Sequence, residues 1–333
     1  MAGTFRALRI HKLDKGTEAR LEQLVLQDLN AGDVVIRVAY SCVNYKDALA
    51  VTGKGKIMRA YPKVAGIDLA GVVESSSDAA YKPGDKVLVT GCNLGESLDG
   101  GFSELARVPA SAVVPLPAGL SLRDAMAIGT AGFTAALGVK RMLENHQTPD
   151  KGPIVVTGPT GGVGSVAVSI LSQLGFKVTA LTGKADTQSD YLKALGASEV
   201  LDRKTLEMSG KPLDRAQWGG AVDNLGGDTL AWLASTMKQW GTIASIGLAQ
   251  SFKLNTTVMP FILRGVSLLG INSVDVPRAW REDVWTRLAG EWKLSTLDQI
   301  APRTIGLDEL PGACAALIAG GQHGRTVVRI GGE

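Results

Sequence analysis

Gly158, Gly161, Gly162 and Gly164 cluster in the stretch VVTGPTGGVGSVAV, Val155 to Val168, between a β-branched apolar run and a run of small apolar residues. Glycine permits a tight strand-to-helix turn and lets backbone N–H groups close on a pyrophosphate, whose charge the positive end of the following helix favours. Val163, Val166, Ala167 and Ile170 suit the helix face that packs on a sheet. The first spacing is one residue longer than G-x-G-x-x-G, and a tight turn without a ligand is the plain alternative. The flanking strand, helix and second strand favour a dinucleotide site.

The second strand bears on which dinucleotide. NAD sites place an acidic residue roughly 20 positions on, where it holds the ribose hydroxyls. That neighbourhood here is LTGKAD, with Thr182, Gly183 and Lys184. A hydroxyl, a flexible backbone and a cation suit a 2′-phosphate, so NADPH is the expected cofactor. A solvated Lys184 is the other reading. Arg203, after the third strand, is a second candidate for the same phosphate or an ordinary surface arginine.

The elements that must carry these residues fall into two textures. Before about residue 125, strands dominate: DVVIRVAYSCVN, DLAGVVESS, DKVLVTG and SELARVPASAVVPL, with YKPGDKV as a turn. One long helix, SLRDAMAIGTAGFTAALGVKRML, follows with Ser121 as its cap. From Ile154 strands and helices alternate, which implies a parallel sheet covered on both faces. The closing GRTVVRI reads as a strand, so the tail is expected to rejoin the first part of the chain.

The 333 residues exceed one ordinary core, and two domains are expected. A net charge of +3 is too small to imply nucleic acid. Cys42, Cys92 and Cys314 make no disulfide framework, which favours a reducing compartment. The opening MAGTFRALRIHKL lacks the apolar core of a leader, and no stretch approaches the about 20 apolar residues of a membrane span. A cytoplasmic protein is expected.

VVTGPTGGVGSVAV, NYKDALAVTGKGK, GIDLAGVVESS and YKPGDKVL together resemble the medium-chain dehydrogenase/reductase superfamily, in its zinc-free quinone oxidoreductase branch and closest to the acrylyl-CoA reductase subgroup. The resemblance covers essentially the whole chain. It implies an α/β protein: a GroES-like, β-rich catalytic domain with an inserted Rossmann domain, a doubly wound parallel sheet that binds NADPH. The expected ranges are 1–125 for the first part of the catalytic domain, 126–297 for the Rossmann domain and 298–333 for the return. The active site would lie in the cleft, and a homodimer is usual.

Zinc-dependent relatives have Cys where this chain has Asn44 and a His-Glu pair where it has Ile67-Asp68, so no metal is expected. His11, His146 and His323 show no ligand spacing. Without a metal, a conjugated double bond is the tractable substrate: hydride goes to the β-carbon and hydrogen-bond donors stabilise the enolate oxygen. The resemblance puts the donors around NYKD. Tyr45 is the candidate proton donor or nicotinamide contact, and Asn44 and Asp47 would orient it or the cofactor. Asn44 and Asp47 also read as a capping box of the helix YKDALAV.

Leu248, Ile262, Ser273 and Arg325 are cofactor contacts on the resemblance alone. The loop TGKGKIMRAYPK carries Lys54, Lys56, Arg59 and Lys63 with no acid among them; it either receives coenzyme A phosphates or is simply solvated. The function expected is NADPH-dependent reduction of acrylyl-CoA to propionyl-CoA. A reductase of quinones or α,β-unsaturated carbonyls, and a non-catalytic NADPH-binding or structural protein, are the alternatives.

Overall fold

Alternating β-branched residues with Gly, Pro and Asp at the ends make the first part of the chain strand-rich, and its longest strand, Val34–Val43, is buried along nearly its whole length. The computed structural model describes residues 3–332; Met1 and Ala2 of the stretch read for a leader lie outside it. The chain divides into two compact units, the first of residues 1–130, 274–290 and 300–333, the second of 131–273 and 291–299.

In the first unit one sheet runs Arg303–Ile305, Thr326–Arg329, Val34–Val43, Asp68–Ser76, Lys86–Thr90 and Val114–Pro115, with Leu105–Val108 also pairing Val34–Val43. The tail does rejoin it: Thr326–Arg329 lies antiparallel to Val34–Val43, Val327 opposite Cys42. A smaller antiparallel sheet joins Phe5–Lys12 to Thr17–Leu24 and to Lys63–Val64. The single strand expected from Ser103 to Leu116 is two, because Pro109 opens a short 3-10 turn at Ala110–Ala112 between them.

The long helix spans Leu122–Glu144 and starts as expected, the Ser121 hydroxyl accepting the Asp124 N–H at 3.0 Å. It is interrupted at Gly129, whose φ of 52° belongs to the left-handed region. Segment 274–290, expected with the Rossmann part, belongs to the first unit. Its helix, Arg278–Ala289, is anchored by arginines: Arg281 Nη1 donates to Thr90 O at 2.8 Å, and Arg278 Nη1 to Val113 O at 3.0 Å.

The second unit is the doubly wound sheet. Its strands run Glu199–Asp202, Val178–Thr182, Ile154–Thr157, Trp218–Asp223, Met237–Ser245, Ser267–Gly270, all parallel. Fully buried strands such as Ile154–Thr157 need both faces covered, which explains their continuous apolar character. Helices Gly162–Gln173, Ala185–Ala194 and Gly227–Thr236 connect them, and Trp218, Trp232, Leu233 and Ile243 pack in one core cluster.

Candidate functional site

The first unit gathers a buried polar cluster around Asp68. Asn44 ends the Val34–Val43 strand and Tyr45 opens the helix Tyr45–Val51. Asp47 Oδ2 accepts the Asn44 backbone N–H at 2.9 Å, the reciprocal half of the capping box, while Asp47 Oδ1 accepts the Ile67 N–H at 2.9 Å. The Asn44 carboxamide turns inward instead: its Nδ2 donates to Asp68 Oδ2 at 2.9 Å and to Asp47 Oδ2 at 3.1 Å. Capping and site building therefore share the same two residues.

Asp68 is entirely buried. It also accepts the Thr130 N–H at 2.7 Å, the Thr130 hydroxyl at 2.5 Å and the Cys42 thiol at 3.1 Å. The tail supplies the countercharge. Arg325, 3% exposed, donates from Nη1 to Asn44 Oδ1 at 2.9 Å and from Nη2 to Cys42 Sγ at 2.9 Å. It also binds the Ala127 and Val43 carbonyls, both at 3.2 Å. Arg325, expected as a cofactor contact, is thus a buried strut whose donors are spent within the unit.

Gly129 explains the break in the long helix. A Cβ there would lie 2.4 Å from Arg325 Nη2, 2.7 Å from Cys42 Sγ and 2.8 Å from an Asp68 oxygen. Burial, reinforced by the charge of Asp68, pushes the Asp47 carboxyl up to about 7, against the Asn44 and Ile67 donors. Burial also pushes the Cys42 thiol well up.

Tyr45 stands apart from this network at 57% exposure, while Asn44 and Asp47 are 7% and 1% exposed. The cluster can hold Tyr45 in place, but it offers no divalent cation a seat. Asn44 is a carboxamide, Ile67 is apolar, and a guanidinium already stands within 2.9 Å of Asn44 Oδ1. Among the described residues no group of three or more His, Cys, Asp or Glu could hold a metal ion.

The basic loop departs from its expected character. The acids absent from its own sequence come from a neighbouring segment: Arg59 lies 3.7 Å from buried Glu96, and Lys63 lies 3.2 Å from buried Asp99. Glu96 also holds Lys46 at 2.7 Å, beside Tyr45 in sequence. Lys54 and Lys56 are exposed.

In the second unit the glycine turn has the anticipated build. Gly158 adopts φ 56°. A Cβ on Gly164 would fall 2.3 Å from Gly158 O and 2.6 Å from Pro159 Cα, so only glycine lets the helix sit on the turn. Gly161 is the exposed N-cap of Gly162–Gln173 and has no side chain to occupy the first-turn N–H groups of Gly162, Val163 and Gly164. Those groups, beside exposed backbone, can bind an anion.

The cation edge assembles by register. Thr182 pairs with Asp202 in the parallel ladder, which brings Gly183 and Lys184 beside Arg203 and Lys204. Lys184 N donates to the Thr182 hydroxyl at 3.1 Å. The Asp202 carboxylate is turned to the Lys204 N–H at 2.9 Å. Lys204, which sequence reasoning passed over, brings its Cε within 3.9 Å of a Cβ built on Gly183. Its position one residue after Arg203 was the available signal.

Leu248 and Ile262 are 66% and 71% exposed, and Phe252 in the same stretch is 81% exposed. Ser273 is half-buried at the end of the unit.

Comparison with known proteins places this geometry. Residues 30–118 match the alcohol dehydrogenase GroES-like domain, and 162–290 match the zinc-binding dehydrogenase model. Acrylyl-CoA reductase AcuI of Ruegeria pomeroyi is 47% identical over 98% of this chain and 99% of its own. Putative quinone oxidoreductase YhfP of Bacillus subtilis is 46% identical over 99% of this chain and 100% of its own. The solved yhdH oxidoreductase from Salmonella enterica, in complex with NADP, superposes with TM-score 0.95 at 45% identity, covering 98% of this chain and 100% of its own.

Proposed function

The chain belongs to the medium-chain dehydrogenase/reductase superfamily, in the group that holds acrylyl-CoA reductase AcuI and YhfP, and from that premise we propose that it reduces the carbon–carbon double bond of acrylyl-CoA with NADPH, giving propionyl-CoA. The observation that carries the reading is the 47% identity to AcuI along 98% of the chain. The NADP in the Salmonella relative's structure and the cations at Lys184, Arg203 and Lys204 support NADPH.

We assign cofactor binding to the second unit, with Gly161, Gly162, Val163 and Gly164 at the diphosphate and Thr182, Gly183, Lys184, Arg203 and Lys204 at the 2′-phosphate. Leu248, Ile262 and Ser273 are assigned to the nicotinamide end. Bound NADPH supplies the hydride that adds to the β-carbon. The substrate's thioester oxygen would then gather negative charge, which a positioned donor stabilises until a proton reaches the α-carbon and completes the saturated thioester. The Tyr45 hydroxyl is the group we assign to that oxygen, being exposed at the first position of its helix. Asn44 and Asp47 are positioning residues that fix the turn carrying Tyr45, and Arg325 secures Asn44 from the far side.

NADPH oxidation by the full chain with acrylyl-CoA, crotonyl-CoA, acrolein and a quinone tests the reading. Acrylyl-CoA should give the highest kcat/KM, and Tyr45→Phe should lower kcat more than it raises KM. No oxidation with any of the four would overturn it. One observation favours the small-electrophile alternative: Arg59 and Lys63 already have carboxylate partners, which leaves less positive charge for coenzyme A phosphates. A quinone turned over faster than acrylyl-CoA would establish that alternative.

We also propose a homodimer in the cytoplasm. The Ser267–Gly270 strand ends the sheet order of its unit and leaves a backbone edge for a second copy. No helix among the described residues is long and apolar enough to cross a membrane, and Cys42, Cys92 and Cys314 are free thiols. Equilibrium sedimentation giving a monomer would overturn the dimer.

A further inference from the structure

Ile154–Thr157 and Trp218–Asp223 lie side by side, and the sheet extends from them in opposite directions. In such a sheet the crevice beyond the carboxyl ends of those two strands is where a ligand binds. Their backbone pairing ends at Val156 opposite Val222. One residue further, a side-chain bond takes over: Thr157 Oγ1 donates to Asp223 Oδ1 at 2.8 Å, both residues being fully buried.

Asp223 gathers further donors. Its Oδ2 accepts the Gly226 N–H at 2.8 Å, and its backbone carbonyl accepts the N–H groups of Ile246 at 2.8 Å and Gly247 at 3.2 Å. Thr157 Oγ1 accepts the Asn224 N–H at 2.8 Å, and Asn224 Nδ2 donates to Thr157 O at 2.7 Å. The Leu225 carbonyl accepts from Gln250 at 2.9 Å, which closes the loop that carries Leu248. These loops approach too closely for side chains: a Cβ on Gly247 would fall 2.4 Å from Asn224 O. One buried acid thereby links the strand ends that lead into Gly158, Gly226 and Leu248.

We propose that Asp223 is a positioning residue for the dinucleotide, holding through the Thr157 hydroxyl the glycine turn and through its own backbone the loop that carries Leu248; this rests on the NADPH reading above. A carboxylate beneath a diphosphate would ordinarily repel it. Here Oδ1 accepts from the Thr157 hydroxyl and the Leu225 N–H, and Oδ2 from the Gly226 N–H, so three donors of the unit itself offset that charge. Burial raises the Asp223 carboxyl above its ordinary value, opposed by the Gly226, Thr157 and Leu225 donors.

The test is NADPH affinity of the full chain by fluorescence titration, with Thr157→Val, Thr157→Ser, Asp223→Asn and the Val/Asn double variant, and kcat at saturating NADPH. Thr157→Val keeps the shape and removes the hydroxyl, whereas Thr157→Ser keeps the hydroxyl. Both Thr157→Val and Asp223→Asn should raise Kd at least about tenfold, the double variant no further than the worse single one. Thr157→Ser should stay within about twofold of the parent in both Kd and kcat. Parental affinity in Thr157→Val, or equal losses in Thr157→Ser and Thr157→Val, would overturn the assignment. Should Asp223→Asn fail to fold, the Val and Ser pair decides alone. A parent chain that binds no NADPH would overturn the cofactor reading itself, and this inference with it.

Discussion

The Asp68 cluster of the first unit and the glycine turn of the second use opposite means. The turn works with backbone: Gly158, Gly161 and Gly164 lie within a few positions, and their effect comes from missing side chains. The cluster works with side chains drawn from distant segments; Arg325 reaches Cys42 across 283 positions. The turn keeps donors open at its surface, while the cluster consumes its donors internally and leaves only Tyr45 outside. On the proposed reading, ligand binding belongs to the region with the simpler chemistry, and rigidity to the region with the richer one.

Substitutions on the two sides should therefore separate stability from affinity. Arg325→Met removes the guanidinium from a cluster that holds two carboxyls, and breaking a buried ion network costs about 3–5 kcal/mol. The melting temperature should fall by roughly 6 °C or more, with NADPH affinity within about threefold of the parent. Unchanged melting with lost NADPH binding would reverse the comparison.

Gly164→Val should do the converse. Its Cβ would meet Gly158 O at 2.3 Å and Pro159 Cα at 2.6 Å, both backbone atoms that cannot step aside alone. Overpacking of this kind costs about 1–3 kcal/mol. NADPH binding, read by titration, should weaken at least about tenfold because the turn must shift. Parental NADPH affinity would mean that the turn does not carry the diphosphate.

Lys184→Ala sharpens the same side. A charge-assisted hydrogen bond contributes about 1.5–3 kcal/mol, so Kd for NADPH should rise about tenfold while NADH changes less than about twofold. Equal losses for both cofactors would remove Lys184 from the 2′-phosphate.

The buried cluster also implies a pH slope. The folded chain holds the Asp47 proton to about 7, above the ordinary value of 3.8, so it binds that proton more tightly than the unfolded chain does. The resulting stability is fully present below about 4 and is lost as pH rises through about 7. The melting temperature of the parent minus that of Asp47→Asn should decline between pH 5 and pH 8. A difference that is flat or rises would show Asp47 ionised throughout.

Much of the second unit was readable in advance because each signal is local. Strand, glycine turn and helix are set by backbone freedom and by apolar period, and Lys184 lies two residues past a buried strand position. The packing of the helix Arg278–Ala289 on the first unit is illegible in the sequence for the opposite reason. Its partners, Thr90 and Val113, are more than 160 positions away, and no local period reports them. The partners of the basic loop were hidden in the same way, since Glu96 and Asp99 compensate Arg59 and Lys63 from outside its own sequence.

By itself the sequence determined the two textures, the glycine turn, the cation after the second strand and the returning tail, because turns and periodicities are properties of neighbouring residues. Only the tertiary structure decided that Arg325 is a buried strut, that Gly129 must lack a side chain, that Lys204 reaches the Gly183 turn, and that Asp223 meets Thr157. These depend on distances between residues far apart in the chain, and a hydrogen bond holds only when the fold brings donor and acceptor to about 3 Å.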